Sequence, residues 1–274
     1  NEDIKLNPYS TPIESRNGVK LHQRVTGILT YLACTTMPEL AYAVSQVARY
    51  NAKPTIDSWK ATKNVARYCI GIRDSAGVLH GRDKSMTQPI FAADASYNCY
   101  HVIDKAGKEA CYSHYGYVGY LFGGPICWKS KMIKRVLKSA RDAEAVALEA
   151  AAEAALYARM LLRSLGLLRS GEPTMIYGDN EALYKGINNE SFKSCDRHLL
   201  KTYYWLAQAM REGEIILGLL PTNEMPADIF TKSLGWRKFP YFANIVRGLR
   251  PIRFESVKTI NAMVFTLLGV FGIC

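Results

Sequence analysis

One helical pattern runs uninterrupted from about Ser139 to Leu165, and the segments on either side of it limit what this chain can become. Ahead of it stand three strand candidates, PIFAADAS, GYVGYLFG and ICWKSKMI. The last two are separated by Gly124-Pro125 and read as a hairpin. Behind it come the strand TMIYGD, the helices NEALYKGIN and RHLLKTYYWLAQAMREG, the strand EIILGLLP and a final helix from Pro226. Antiparallel strands followed by alternating strands and helices specify an α/β fold, a mixed sheet flanked by helices.

The amino-terminal part reads differently. Residues 1–20 look irregular, with Pro8, Pro12 and Gly18. Helical periodicity then runs through VTGILTYLACTT, from Pro38 through PELAYAVSQVARYN, and through TIDSWKATKNVARYCIGI, where Asp57 or Ser58 stands near the cap. SAGVLHG reads as a short strand. The polar stretch GRDKSMTQP marks the preferred boundary, dividing a small, mostly helical segment (1–85) from the sheet-forming part (86–248). Residues 249–274 form an unassigned hydrophobic tail. Its uncharged run from Thr259 to Cys274 is shorter than the roughly 20 residues a membrane span needs, so no membrane partner is expected.

Lysine and arginine outnumber acids 35 to 24 across the 274 residues, a net charge of +11 that favours a polyanionic partner such as nucleic acid. Residues 126–141 hold Lys129, Lys131, Lys134, Arg135, Lys138 and Arg141 and no acid. Residues 235–258 form a second basic stretch with the single acid Glu255. Either run is equally readable as a solvated face or as a phosphate contact. Seven cysteines are scattered without any C-x-x-C, and the polar opening NEDIKLNPYS is no secretory signal. The expected compartment is therefore reducing and intracellular, cytoplasmic or nuclear. Cys99, His101, Cys111 and His114 could be read as four zinc ligands, but Cys-x-His is a poor zinc spacing and the segment reads as a loop.

Four acids stand out by position. Asp94 ends the apolar run Ile90-Phe91-Ala92-Ala93, where a carboxylate is costly to desolvate without a partner. In the long helix, Ser139 and Asp142 form a capping pattern. At about 100° per residue, Asp142, Glu149 and Glu153 fall in one stripe, whereas Glu144 projects from the opposite side of the helix, beside Ala147, Leu148, Ala151 and Ala155. Glu144 thus faces the sheet. Asp179 ends TMIYGD, where with Asn180 it is equally readable as a helix cap. Asp228 follows Pro226 in the first turn of the last helix, where the dipole favours an acid whatever its function. Should the four converge, they could not all ionise without a cation.

The segments FAADASY, ICWKSK, SARDAEAVALEAAAEA, IYGDNEA and LPTNEMPADIFTKSL occur in an order that resembles the ribonuclease H domain of copia-type retrotransposon Pol polyproteins. The preceding VTGILTYLACTT through RYCIGI is similar to the segment joining the reverse-transcriptase core to that domain. The resemblance spans roughly residues 10 to 245. It implies a five-stranded mixed sheet with helices on both sides. It also implies a site at Asp94, Glu144, Asp179 and Asp228 that holds two magnesium ions, with manganese able to substitute, and cuts the RNA strand of an RNA–DNA hybrid. Lys129, Lys131, Lys134, Arg135 and His198 would contact that substrate, and a reverse-transcriptase core in the same polyprotein would be the protein partner. The chain departs from the family pattern in reading SARDAEA for SSTEAEY and RHLL for KHID, and it contains no Asp-Asp pair, so no polymerase site is expected. A catalytically degenerate, nucleic-acid-binding domain of the same fold is the alternative reading.

Overall fold

The computed structural model describes residues 6–7, 10–75, 77–81, 83–84, 86–103, 109–168, 172–188, 199–251 and 258–259. Helix α1 (Arg16–Thr35) starts earlier than its apolar periodicity suggests, because Ser15 caps it by accepting the Gly18 N–H at 3.0 Å. A 3₁₀ turn (Pro38–Leu40) leads into α2 (Ala41–Ala48). Helix α3 (Ile56–Gly71) opens on a reciprocal capping box between Thr55 and Ser58. Leu29, Ala33, Met37, Leu40 and Val44 form the small core of these helices, with Val65, Ala66 and Cys69 packed against it. The described residues of SAGVLHG form no strand. Leu79 instead donates its N–H to the Arg247 carbonyl at 2.8 Å, so this stretch crosses the surface as a connector.

The sheet is mixed. Strands β1 (Ile90–Ile103), β2 (Glu109–Leu121), β3 (Gly124–Met132), β4 (Thr174–Gly178) and β5 (Ile215–Leu219) lie in the order β3-β2-β1-β4-β5. A two-residue β6 (Lys258–Thr259) is added at the β5 edge. β2 is antiparallel to both neighbours, while β1, β4 and β5 are parallel. The hairpin turn falls at Phe122-Gly123, both with positive φ (52° and 76°), and Gly124-Pro125 already belong to β3. A Cβ on Gly124 would collide with the Leu79 carbonyl, so the glycine predicted as turn former is needed for close approach instead.

Alternation along the strands produces two cores. Phe91, Ala93, Tyr115, Tyr117 and Ile176 face α4 (Ala140–Ser164), α5 (Glu181–Asn188) and α6 (Leu200–Arg211). Ala92, Val118, Tyr120 and Tyr177 face a 3₁₀ turn (Pro226–Phe230) and α7 (Lys238–Val246). The helix expected from Pro226 is thus two elements, with Asp228 in the short turn, where no α-helix dipole accounts for it. Helix α4 meets its core with Ala143, Ala145, Ala147, Ala151, Ala152 and Ala155, all fully buried, so its axis lies close to the sheet. Asp142, on the stripe opposite Glu144, is buried rather than turned to solvent. It is 5% exposed, its N–H held by Ser139 Oγ at 3.1 Å.

Helix α4 is fixed at its far end by Arg159, 1% exposed. The guanidinium pairs with Glu214 at 2.7 Å and donates to the Glu172 carbonyl at 2.6 Å and Thr174 Oγ1 at 3.0 Å, gathering the starts of β4 and β5. From there Glu144 lies about 22 Å along the helix axis, at the opposite end of β4. No helix among the described residues is long and apolar enough to cross a membrane.

Candidate active site

β1 pairs with β4 through Ile90, Phe91 and Ala92, then runs on beside β2 as far as Ile103. The chain goes from β1 to one side of the sheet and from β4 to the other. Between them opens the kind of crevice in which open α/β sheets bind ligands. Asp94 points into it from β1, and Asp179 follows the last residue of β4. Glu144, in the second turn of α4, reaches the same place by accepting the Ala95 N–H at 3.3 Å. Asp94, Glu144 and Asp179 each offer a carboxylate oxygen within 4.8 Å of the others.

Asp228 arrives from the 226–230 turn. Its Oδ1 lies 2.8 Å from Lys232 Nζ, which is also 3.7 Å from Asp94 Oδ2. Thr231 donates its hydroxyl to Asp94 Oδ2, and Thr222 donates to Asp179 Oδ2 at 3.1 Å. Asp94 and Asp228 are the most deeply buried of the four, at 2% and 3% exposure.

Such packing has an electrostatic cost. Burial pushes the Asp94 carboxyl up to about 7, with Asp228 and Asp179 adding and Lys232 and Thr231 opposing. Burial, then the charges of Asp94 and Asp179, hold Glu144 well above the ordinary carboxylate range against the Ala95 N–H and Lys232. Asp228 is raised by burial, with Asp179 adding and Lys232 and Lys238 opposing. For Lys232 burial pulls the ammonium down, but Asp94, Asp228 and Asp179 outweigh it and the net shift is upward. Carboxylate oxygens are hard donors suited to magnesium or manganese, and a divalent cation would relieve this mutual repulsion, so the donor set fits the implied metal.

The retrovirus-related Pol polyprotein from transposon RE2 of Arabidopsis thaliana is 30% identical over 252 residues, 88% of this chain and 16% of that protein. The corresponding polyprotein from transposon TNT 1-94 of Nicotiana tabacum is 27% identical over 253 residues, 89% of this chain and 18% of that protein. This chain is a homologue of copia-type Pol polyproteins. It spans less than a fifth of the length of these two relatives. The secreted RxLR effector protein 161 of Plasmopara viticola is 31% identical over 132 residues, 48% of this chain and 86% of that protein. No family model matches the chain. Among solved structures, the N-terminal RNase H domain of rv2228c from Mycobacterium tuberculosis aligns at 15% identity and a TM-score of 0.38, covering 57% of this chain and 96% of that one. LC11-RNase H1 in complex with RNA/DNA hybrid aligns at 16% identity and 0.38, covering 53% and 94%.

The remaining expected site residues of the Pol homologue are dispersed. Lys129 and Lys131 pair across β2 with Tyr117 and Tyr115, which pair with Ala93 and Ala95. They are exposed, two strands or about 10 Å from β1, on the face opposite Asp94. Lys134 and Arg135 are exposed just beyond β3. His198 and the tail 260–274 lie outside the described residues, as does the His101 side chain. Cys99, Cys111 and His114 sit in paired strands rather than a loop. Among the described residues the one group gathered to metal-binding distance is Asp94, Glu144 and Asp179.

Other residues of the Pol homologue escaped prediction. Gly116 is paired with Asp94, and a Cβ there would collide with Phe230, so this glycine lets the turn carrying Asp228 lie on the sheet. A glycine in mid-strand is a readable signal of close approach. Thr231 and Lys232 stand inside ADIFTKSL, where spacing from Asp228 shows which side chains share a turn but not that they point at Asp94. His114 belongs to a hydrogen-bond relay. Ser130 donates to the Phe230 carbonyl at 2.6 Å, so His114 Nε2 donates to Ser130 Oγ at 2.7 Å and Nδ1 accepts from Tyr100 at 2.6 Å. Gln46 of α2 donates to Tyr100 in turn. The relay links α2 to the turn holding Asp228. Trp128 is likewise structural, donating to the Ala33 carbonyl of α1 at 2.6 Å.

Proposed function

We propose that the chain is a ribonuclease H-type endonuclease that hydrolyses the RNA strand of RNA–DNA hybrids, leaving 3′-hydroxyl and 5′-phosphate ends. The observation that carries this reading is the convergence of Asp94, Glu144 and Asp179 to within 4.8 Å at the parting of β1 and β4. Asp228 stands beside them across Lys232. Two magnesium ions, or manganese in their place, would be held by these four carboxylates and would supply charge neutralisation for in-line displacement at a phosphodiester. Asp94, central and hydrogen-bonded by Thr231, fixes the geometry of the cluster, and Glu144, tied to Ala95, closes it from the α4 side.

Residues 86–248 would form this nuclease and residues 1–85 the connection to a reverse-transcriptase core in the same polyprotein, acting inside the cell. Lys129, Lys131, Lys134 and Arg135 would hold the hybrid's phosphates along the β3 edge, with His198 as a further contact.

A labelled RNA–DNA hybrid incubated with the purified chain, with and without magnesium, tests the reading. Cutting is expected with magnesium and lost in Asp94→Asn and Glu144→Gln. Equal cutting by the variants would sink the nuclease assignment. Hybrid binding with no cutting at all would favour the degenerate binding domain.

A further inference from the structure

Lys232 is set against the acids by its own backbone. Its N–H bonds to the Asp228 carbonyl at 3.1 Å, so a single turn places both side chains together, while the adjacent Thr231 addresses Asp94. The ammonium then stands 2.8 Å from Asp228 Oδ1 and 3.7 Å from Asp94 Oδ2, between the two most buried carboxylates. The pocket therefore has two parts that share Asp94. One is an all-oxygen group made with Glu144 and Asp179. The other, made with Asp228, is closed by a side-chain cation.

We propose that Lys232 is a tethered cation occupying the place of a second divalent ion. The chain binds one ion tightly at Asp94, Glu144 and Asp179, and a second one only by displacing the ammonium from Asp94 and Asp228. The inference rests on the metal-site reading above and deepens it. Displacement is physically open to this side chain, because lysine carries its charge on a flexible stem and Lys232 is 39% exposed, with a route to solvent. A monovalent charge held there neutralises part of the buried acidity before any metal arrives, and it repels a divalent ion approaching the same oxygens. Lys232 is on this account a positioning residue for metal loading.

Titration of the metal-free full chain with manganese, followed by the paramagnetic signal of the free ion, tests the proposal through binding rather than activity. The parent is expected to take up one ion per chain well before a second. In Lys232→Met the second ion should bind more tightly, on the order of tenfold or more, because the competing charge is gone. Lys232→Arg, which keeps the charge, should follow the parent. Lys232→Gln serves in place of the methionine variant if circular dichroism shows that variant unfolded. Superimposable isotherms for parent and charge-deleted chain, with manganese bound, would overturn the role of Lys232 while leaving the metal site standing. Failure of both to bind manganese would overturn the metal site itself, and the proposal with it.

Discussion

Glu144 accepts the backbone N–H of Ala95 at 3.3 Å, so a helix on one face of the sheet reaches a strand position next to an acid aimed at the other face. This contact is possible because β1 has left β4 after Ala92, and because the alanine face of α4 lets the helix lie close. The cluster is therefore a consequence of strand divergence, and its integrity can be tested at the elements that create it.

Gly116 is the first such element. Gly116→Ala drives a methyl into Phe230 and should destabilise the chain by about 1 to 3 kcal/mol, the usual range for overpacking. The same substitution moves Asp228 and should weaken binding of the second manganese ion more than that of the first. Urea unfolding measures the first effect and manganese titration the second. A variant as stable as the parent would show that the turn does not press on β2.

The Arg159–Glu214 pair should respond asymmetrically. Glu214→Ala strips a buried guanidinium of its ionic partner and is expected to cost roughly 3 kcal/mol. Arg159→Met removes the buried charge and leaves the exposed Arg163 to pair with Glu214, so it should cost distinctly less. Denaturant melts of both variants settle the order, and the reverse ranking would contradict the buried-charge account.

His114 predicts a sign for acid sensitivity. Burial, with Arg49 adding, lowers its pKa to about 3, below the 6.5 of an unperturbed histidine. The unfolded chain therefore binds more protons between those values. Its contribution to stability is complete above 6.5 and is lost as pH falls through that window. The difference in melting temperature between parent and His114→Leu should accordingly shrink on acidification from pH 7 to pH 4. A constant difference would mean that burial does not hold the imidazole neutral.

Asp94 predicts the opposite sign. Its folded pKa of about 7 lies above the ordinary carboxylate range near 4, so the folded chain holds the extra proton and stability falls as pH rises from about 4 to about 7. Asp94→Asn should flatten part of that fall in metal-free buffer. Millimolar magnesium should offset it in the parent by stabilising the ionised cluster. Thermal melts across this range, with magnesium or a chelator, check both expectations. Identical profiles with and without magnesium would argue against a cation at Asp94.

Local pattern carried much of the architecture. The strand and helix segments after residue 89 are read from periodicity and caps because alternation and helical spacing respond to burial, which the mixed sheet then supplies. Glu144 was legible for the same reason, since an acid on an apolar helix face is visible in one dimension. Strand ends were less so. β1 and β2 run past their apolar segments, and the turn lies at Phe122-Gly123 rather than at the proline.

The amino-acid order alone determined which side chains a helix or strand would present together, and so the identity of the candidate acids. It could not determine that Asp142 would be buried, that Asp228 would leave the α-helix for a 3₁₀ turn, or that Lys232 would sit between Asp94 and Asp228. The meeting of Lys232 with Asp94 and Asp228 depends on where β1 parts from β4 and on the room left by Gly116. Both are relations between segments far apart in the chain, which only packing brings within reach.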